Sequence, residues 1–182
     1  MTTLSNKYLK HTWAHPKLTV SQSPISGKGV FAAKNLRKGE ILMIWGGKII
    51  PVNKYLSGKY RDETLVQIDE NHYLGLTTRD KSDSIDEFLN HSCNPNSWLI
   101  DGVTLEARRN INKGEEITLD SVTWDSDENW PYTEDGKCRC GSNNCRKILS
   151  PNDYMRADLQ KKYAGHFSPY IESKIKNLKK KA

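Results

Sequence analysis

The sequence has few apolar residues and no long apolar run. Only 36% of its 182 residues are hydrophobic, and the mean hydropathy is −0.75. No stretch approaches the roughly 20 apolar residues that cross a bilayer, and residues 1–10 lack the apolar core of a secretory signal. We therefore expect an intracellular protein, cytoplasmic or nuclear. Five tryptophans and eight tyrosines still supply large apolar faces, which predicts one compact domain rather than a disordered chain.

Basic charge is scarce before the C-terminus. From Pro151 onward eight lysines and arginines face three acids, which accounts for +5 of the formal net charge of +6. The rest of the chain is nearly neutral, so it has no basic stripe of the kind that reads nucleic acid. We expect the tail to be a solvated lysine-rich helix face that attracts nucleic acid at most nonspecifically.

Short apolar runs separated by glycines predict a mainly β body. They are followed by helix signals near the end of the chain. Ser150-Pro151 predicts a helix start with Gly165 as its stop, and Ser168-Pro169 predicts a second start. The predicted strands lie at residues 30–33, 41–45, 49–50, 65–68, 73–76, 103–107 and 116–119; the predicted apolar helix positions are Met155, Leu159 and Tyr163, then Ile171, Ile175 and Leu178.

These patterns divide the chain into four parts. Residues 1–17 are expected to form an N-terminal arm, and residues 18–122 the β domain. Residues 123–149 are expected to form an acidic linker and a cysteine segment, and residues 150–182 a basic helical tail. No internal repeat occurs, so we do not expect a repeat architecture.

The four cysteines are Cys93, Cys138, Cys140 and Cys145. Three closely spaced cysteines and one distant cysteine are a common way to supply the four tetrahedral ligands of a structural zinc ion. Disulfides are the less favoured alternative, because Cys138 and Cys140 are too near for an easy bridge and an intracellular protein rarely keeps disulfides. Free thiols are the remaining alternative.

Cys93 lies within the string NHSCNPN at residues 90–96, and this string resembles the SET-domain family of protein-lysine methyltransferases. GKGVFA at residues 27–32 resembles the opening GxG element of that family, and GEEITLD at residues 114–120 resembles its GEExTxD element. CRCGSNNCR at residues 138–146 resembles the post-SET cysteine cluster, which shares its zinc with the cysteine of NHSC. Order and spacing also agree. Trp45-Gly46-Gly47, in place of the commoner Tyr-x-Gly, and the tail from Pro151 to Ile175 resemble compact bacterial members of the family.

The resemblance implies a β-clip-like SET fold of small curved sheets, in which the NHSC segment and the segment after Asp120 form a pseudoknot. It also implies S-adenosylmethionine as cofactor. The positions that match the family's cofactor site are Ser26, Lys28, Gly29, Thr64, Asn90 and His91. Without the resemblance, a lone GxG is only a turn signal, and an Asn-His pair is an ordinary loop feature.

Two expected tyrosines are replaced in this sequence. In the family they line the lysine channel, and here Trp45 and Ser121 occupy the matching catalytic positions. A tryptophan ring can wall a channel and attract a cation, but a serine hydroxyl is much shorter than that of tyrosine. Tyr73 or Tyr132 is a candidate to take over the missing role.

Residues 124–134 combine acids and aromatics without a basic residue. We expect either a groove that attracts a lysine-bearing basic peptide or a solvated acidic linker. The acids are Asp125, Asp127, Glu128 and Glu134, and the aromatics are Trp124, Trp130 and Tyr132.

Three functions follow as hypotheses. The first is a protein-lysine N-methyltransferase that acts on a basic protein such as a histone or another chromosomal protein. The second is a weak or inactive SET module that binds cofactor or a lysine-containing peptide, favoured by Ser121. The third, a zinc-stabilised nucleic-acid adaptor, has the least support because the body is nearly neutral.

Overall fold

A computed structural model describes residues 7–55, 64–80, 84–127 and 136–181. Short strands dominate these ranges, and two longer helical segments follow near the C-terminus. This arrangement confirms the predicted mainly β body with C-terminal helices. The strands are β1 (Trp13–Ala14), β2 (Leu18–Gln22), β3 (Lys28–Ala32), β4 (Ile41–Ile44), β5 (Lys48–Pro51), β6 (Val66–Gln67), β7 (His72–Gly75), β8 (Asn90–His91), β9 (Ser97–Leu99), β10 (Thr104–Ala107) and β11 (Glu116–Leu119); the α-helices are α1 (Val52–Tyr55), α2 (Ala157–Lys162) and α3 (Pro169–Lys181).

The strands form three small sheets, with strand orders β1-β4-β10-β9, β2-β3-β11-β8 and β5-β7-β6. All strand pairs are antiparallel except β8 and β11, which run parallel. Parallel neighbours cannot be joined by a tight hairpin and need a long connection. Residues 92–115 make this connection, and they include β9 and β10. The parallel pair therefore brings the NHSC segment beside the chain that leads to Asp120.

The main core lies between the sheets and is built from aliphatic strand residues. Val30, Leu42, Leu105 and Ile117 have no measurable exposure, and Trp45 belongs to the same cluster. Consecutive residues such as Leu42 and Met43 are both buried, so these strands are covered on both faces. The apolar strand positions predicted from the sequence thus form the core.

The described part of the predicted N-terminal arm is attached to the body. β1 pairs with β4 through Trp13 opposite Ile44. The carbonyl of Leu9 accepts a hydrogen bond of 2.8 Å from the Gly47 amide. Trp13–Ala14 therefore add a strand to the first sheet, and the Leu9 contact attaches the chain just before this strand.

The first tail helix begins later than the sequence predicts. The expected start at Ser150-Pro151 is wrong: these residues form a turn, a 3₁₀ helix covers Asp153–Met155, and α2 begins only at Ala157. This turn places Asp153 beside Arg146, a tertiary contact at 2.9 Å that local periodicity does not encode. Met155, predicted to be on an apolar face, is 46% exposed.

The second tail helix begins where the sequence predicts. α3 starts at Pro169, and the Ser168 hydroxyl accepts a hydrogen bond of 3.3 Å from the Ile171 amide, as a capping residue does. The tail forms a second core with the chain that follows Asp120. Its buried members are Val122, Tyr154, Leu159, Tyr163, Phe167, Ile171 and Ile175. Within the described ranges, no helix is long and apolar enough to cross a membrane.

Candidate functional site

The NHSC segment lies at the centre of the candidate site. β8 pairs in parallel with β11, with Asn90 opposite Thr118 and His91 opposite Leu119. The Ser92 amide continues this ladder by donating to the Leu119 carbonyl at 3.1 Å. Because the ladder fixes the backbone of this short segment, its successive side chains reach three different groups: the GxG turn, the chain after Asp120 and the cysteine cluster.

Asn90 joins the NHSC segment to the GxG turn. Its side-chain nitrogen Nδ2 lies 3.0 Å from the Lys28 carbonyl, 3.3 Å from the Ser26 carbonyl and 3.1 Å from the Ser23 hydroxyl. It also donates to Glu116 Oε1 at 2.7 Å. Two motifs that are far apart in the sequence are therefore linked by one amide group.

A pocket of about 170 Å³ opens beside this contact. Three of the predicted cofactor residues line it, namely Ser26, Asn90 and His91. Complete small-molecule sites usually measure about 300–1,000 Å³, so this pocket has room for part of a nucleoside-sized ligand. The other lining residues, which were not predicted as cofactor residues, are Ile25, Leu89, Cys138, Arg139, Cys140 and Leu149.

The other three predicted cofactor residues are not among the lining residues. Lys28 and Gly29 begin β3 next to the pocket, and the Lys28 Nζ lies 5.4 Å from the centre of the Phe88 ring. Thr64 is buried, and its hydroxyl accepts a hydrogen bond of 2.9 Å from the Leu76 amide. Thr64 thus has a structural partner at the end of β7.

The four cysteines come together, which confirms the clustering that the sequence predicts. Their sulfur atoms all lie within 4.8 Å of one another, and Cys93 Sγ is 3.7 Å from Cys138 Sγ. Zinc–sulfur bonds of about 2.3 Å in a tetrahedron separate the sulfurs by about 3.8 Å. None of the four is in a disulfide. The arrangement can hold a metal ion.

Backbone amides point at three of these sulfurs. Arg146 N lies 3.3 Å from Cys93 Sγ, Cys93 N lies 3.4 Å from Cys140 Sγ, and Lys147 N lies 3.4 Å from Cys145 Sγ. Such N–H groups stabilise negative charge on sulfur. Lys147, which supplies one of these amides, has a positive φ of 66°. The cluster is therefore arranged for thiolate ligands.

The pKa values of the thiols differ within the cluster. Burial raises the pKa of Cys93 to about 11. Burial acts in the same direction at Cys140, but hydrogen bonds from Ser142 and the Cys93 amide outweigh it and lower the pKa to about 6. A divalent cation could stabilise this set as thiolates, because a bound cation favours the deprotonated form of a coordinating thiol.

His91 is held between Ser121 and Cys93. Its Nδ1 lies 3.2 Å from the Ser121 amide nitrogen and 3.3 Å from the Ser121 hydroxyl. Its Nε2 lies 3.4 Å from Cys93 Sγ. Burial lowers the pKa of His91 to about 4, so the imidazole is neutral near pH 7. The predicted catalytic position 121 thus contacts a predicted cofactor residue.

Asp120 lies behind His91 and is completely buried. Arg146 binds both of its oxygens at 2.6 and 2.7 Å, and the Tyr163 hydroxyl donates to it at 2.8 Å. Burial acts to raise the pKa of Asp120, but the hydrogen bonds and charge of Arg146 lower it below the usual range. Arg146 and Tyr163 were missed by the sequence analysis, because no local pattern connects them with Asp120.

Trp45, the other predicted catalytic residue, is a core residue with 3% exposure. It packs edge-to-face against Trp124, with ring centres 5.6 Å apart. Tyr73 is also buried, and its hydroxyl donates to the Asp127 carboxylate. Asp125 is 1% exposed. Asp125 is therefore buried and Asp127 is partly buried. Glu128, Trp130, Tyr132 and Glu134 lie outside the described residues, so the choice between a groove and a linker stays open.

Comparison with known proteins gives a consistent result. The model of the SET domain family matches residues 27–120, slightly more than half of the chain. The histone-lysine N-methyltransferase Su(var)3-9 of Drosophila melanogaster is 31% identical over 80% of this chain, and the match covers 26% of that protein. The trithorax histone-lysine N-methyltransferase of Drosophila virilis is 30% identical over 72% of this chain and 4% of its own length.

A third relative is the H3 lysine-4 specific histone-lysine N-methyltransferase of Aspergillus oryzae. It is 29% identical over 71% of this chain and 11% of its own length. The chain thus spans about a quarter or less of the length of these relatives. Its three motif elements, their contacts around Asn90 and the family match together show that the chain belongs to the SET domain family.

Proposed function

We propose that this chain is an S-adenosylmethionine-dependent protein-lysine N-methyltransferase that acts on a histone or another basic protein. The observation that carries the proposal is the contact of Asn90 with the GxG turn, beside a pocket that Ser26, Asn90 and His91 share. Substrate identity is proposed from the histone-lysine methyltransferases to which the chain is similar.

The residues around the pocket suit a cofactor with a cationic sulfonium and an amino-acid end. Asn90 and the Ser26 turn supply hydrogen-bonding groups, and Lys28 and Gly29 border them, with Lys28 offering a cation for a carboxylate. His91 is neutral near pH 7, so it does not repel a positive ligand. When bound, S-adenosylmethionine supplies the electrophilic methyl group. Thr64 has only the family resemblance in its favour.

On the lysine side, the enzyme must hold a neutral amine in line with the methyl group in a dry channel. The amine nitrogen gains an N–C bond as the S–C bond breaks, and the amine proton leaves to solvent. Trp45, which is 3% exposed, packs in the core against Trp124, so this pair would support the channel from the core rather than line it. Ser121 supplies a hydroxyl that also contacts His91. The partly buried Asp127 adds negative charge that favours a basic substrate.

For the cysteine cluster we propose structural zinc. The support is the donor set of four sulfurs, which is the set that zinc prefers in closed sites. Cys138 and Cys140 also line the pocket, so zinc would hold one wall of the cofactor site. Removing it with a chelator should therefore weaken cofactor binding as well as unfold part of the chain.

A second candidate is a SET module that binds cofactor or peptide without methyl transfer. The observation in its favour is Ser121, whose short hydroxyl contacts His91 at 3.3 Å, where the family has tyrosine. For the basic tail, we propose at most a nonspecific attraction to nucleic acid.

The deciding experiment incubates zinc-loaded protein with labelled S-adenosylmethionine and a panel of basic proteins that includes histones, alongside a calorimetric titration of the cofactor. Transfer to lysine establishes the enzyme. Cofactor binding without transfer favours the binding module, and a Ser121→Tyr variant that regains transfer would identify the missing tyrosine as the cause. If the protein neither binds the cofactor nor transfers a methyl group, the proposed cofactor site is contradicted.

A matched pair of variants tests the pocket. Asn90→Ala should abolish measurable cofactor binding, because it removes the amide that joins the turn to β8. Asn94→Ala is the control: Asn94 is exposed, and its recorded hydrogen bond, from its backbone amide to Ser92 Oγ, does not use its side chain. Equal binding by both variants would show that the cofactor site lies elsewhere.

A further inference from the structure

Glu116, the first residue of β11, has a carboxylate that ties together three segments of the site. Its two oxygens accept from the Ser23 hydroxyl at 2.8 and 2.9 Å, and Oε1 also accepts from Asn90 Nδ2 at 2.7 Å. Ser23 belongs to the loop after β2, and Asn90 belongs to β8. A partly buried carboxylate with several donors is held far more firmly than an ordinary surface glutamate.

The same carboxylate occupies the space beside Gly29. A Cβ atom added to Gly29 would lie 2.2 Å from Glu116 Oε1, 2.8 Å from Glu116 Cδ and 3.0 Å from Ser23 Cβ. Gly29 does not have a positive φ, unlike Gly27 with φ +45°. The backbone conformation at residue 29 is therefore open to other residues, and the need for glycine there comes from the Glu116 carboxylate.

The orientation of the Asn90 amide follows from these contacts. All four groups near Nδ2 accept hydrogen bonds, so the NH₂ end of the amide must face them. Its carbonyl oxygen Oδ1 has no hydrogen-bond partner among residues 7–55, 64–80, 84–127 and 136–181. An unpaired acceptor at a residue that lines the pocket is available to a ligand donor.

We infer that Glu116 is a positioning residue for cofactor binding: its carboxylate orients the Asn90 amide toward the pocket, and Gly29 lacks a side chain in order to leave room for that carboxylate. The inference rests on the proposed function, because it names what fixes the geometry of the same site. The two glycines of the GxG turn thus have different roles. Gly27 adopts a positive φ that turns the chain, and Gly29 leaves room for the Glu116 carboxylate.

The test is a calorimetric titration of zinc-loaded variants with S-adenosylhomocysteine, combined with thermal unfolding. Glu116→Ala should raise the dissociation constant about tenfold or more, the effect of losing a hydrogen bond to a charged group. Glu116→Gln keeps the shape and one acceptor oxygen, so it should recover most of the affinity. Glu115→Ala is the control, because Glu115 pairs with Arg109 at 2.7 Å outside the pocket, and its affinity should stay at the wild-type level.

A double-mutant cycle tests the Gly29 contact. Gly29→Ala should weaken binding strongly in the wild-type background. In the Glu116→Ala background the same change should cost less than about threefold, because the clashing group is gone and the two effects are not additive. Equal costs in both backgrounds would show that Gly29 approaches the ligand directly, which would overturn this part of the inference.

The outcomes separate the inference from the proposed function. Wild-type protein that binds no cofactor overturns both. Wild-type binding with an unchanged dissociation constant for Glu116→Ala overturns the positioning role alone. If that variant only melts at a lower temperature while the folded protein binds normally, Glu116 is a stabilising residue and the inference fails.

Discussion

Asp120 and Asp125 lie five residues apart in the chain and are both buried, yet their surroundings are opposite. Asp120 receives two hydrogen bonds from Arg146 and one from Tyr163. Asp125 accepts from the Asp127 amide at 2.8 Å, but its Oδ2 has no hydrogen-bond partner among the described residues. Burial raises the pKa of Asp125 to about 7, whereas the pKa of Asp120 lies below its usual range.

The difference shows what a buried carboxylate requires. Charge in an apolar interior is costly unless an opposite charge and hydrogen bonds compensate for it. At Asp120 the cysteine segment and the C-terminal tail supply that compensation. The charge of Asp125 is compensated far less, because the nearby Lys174 Nζ donates its hydrogen bond to the hydroxyl of Ser126, at 3.0 Å, and not to the Asp125 carboxylate. The first aspartate stabilises the site, and the second makes stability depend on pH.

The largest expected effect comes from Arg146→Ala, which would turn Asp120 into an unpaired buried carboxylate. Arg146 also forms an ion pair with Asp153, in which Arg146 Nε lies 2.9 Å from Asp153 Oδ2. The bent angle at this contact is not that of a hydrogen bond. We expect the free energy of unfolding to fall by about 3–5 kcal/mol, as for other broken buried ion pairs. Denaturant titration of the zinc-loaded wild-type and variant proteins measures this loss in the free energy of unfolding.

Arg156→Ala is the matched control for this prediction. Arg156 pairs with Asp158 at 2.9 Å, but both side chains are largely exposed, so the expected loss is at most about 1 kcal/mol. If the two variants lose similar amounts, the buried ion pair does not have the stabilising role assigned to it.

The next effect concerns pH. The pKa of Asp125 is about 7 in the folded protein against an ordinary 3.8, so the folded state binds more protons between these values. Its contribution to stability is thus lost as pH rises from about 4 to about 7, with a slope of at most about 1.4 kcal/mol per pH unit. Asp125→Asn should lack this loss. Unfolding curves at several pH values measure the difference, and parallel curves for the two proteins would contradict it.

The smallest effect is expected from Tyr163→Phe, which removes one donor to Asp120 and leaves Arg146 in place. The loss should be about 2 kcal/mol, typical of a hydrogen bond to a charged group. Tyr154→Phe is the control, because the Tyr154 hydroxyl has no hydrogen-bond partner in the part of the chain that the structure describes. Its stability, measured by the same titration, should change little.

Much of the fold could be predicted from short-range patterns. The strand at residues 116–119 and the helix start at Pro169 appear where the sequence predicts them, because alternating apolar residues and a Ser-Pro start are local signals. The predicted helix start at Pro151 was wrong, because Asp153 makes a tertiary contact with Arg146 that local sequence patterns do not encode. The burial of Tyr163 and Ile171 agrees with their predicted places on the apolar faces of the tail helices.

The candidate site shows the same division. The four cysteines and the NHSC string are compact motifs, and their chemistry can be inferred from residue type and spacing. Glu116 is part of the GEExTxD element, but nothing in the sequence indicates that its carboxylate lies beside Gly29. Likewise, the spacing of residues gives no warning that Trp45 packs within the core against Trp124.

The sequence by itself determined the family, the mainly β architecture and the set of four sulfurs that could hold a metal ion, because each depends on residue types at fixed spacing. Only the tertiary structure decided which buried charges are compensated, that the tail completes the surroundings of Asp120, and that Ser121 contacts His91. These contacts join residues many positions apart, so their energies depend on distance and burial in three dimensions, which no local pattern encodes.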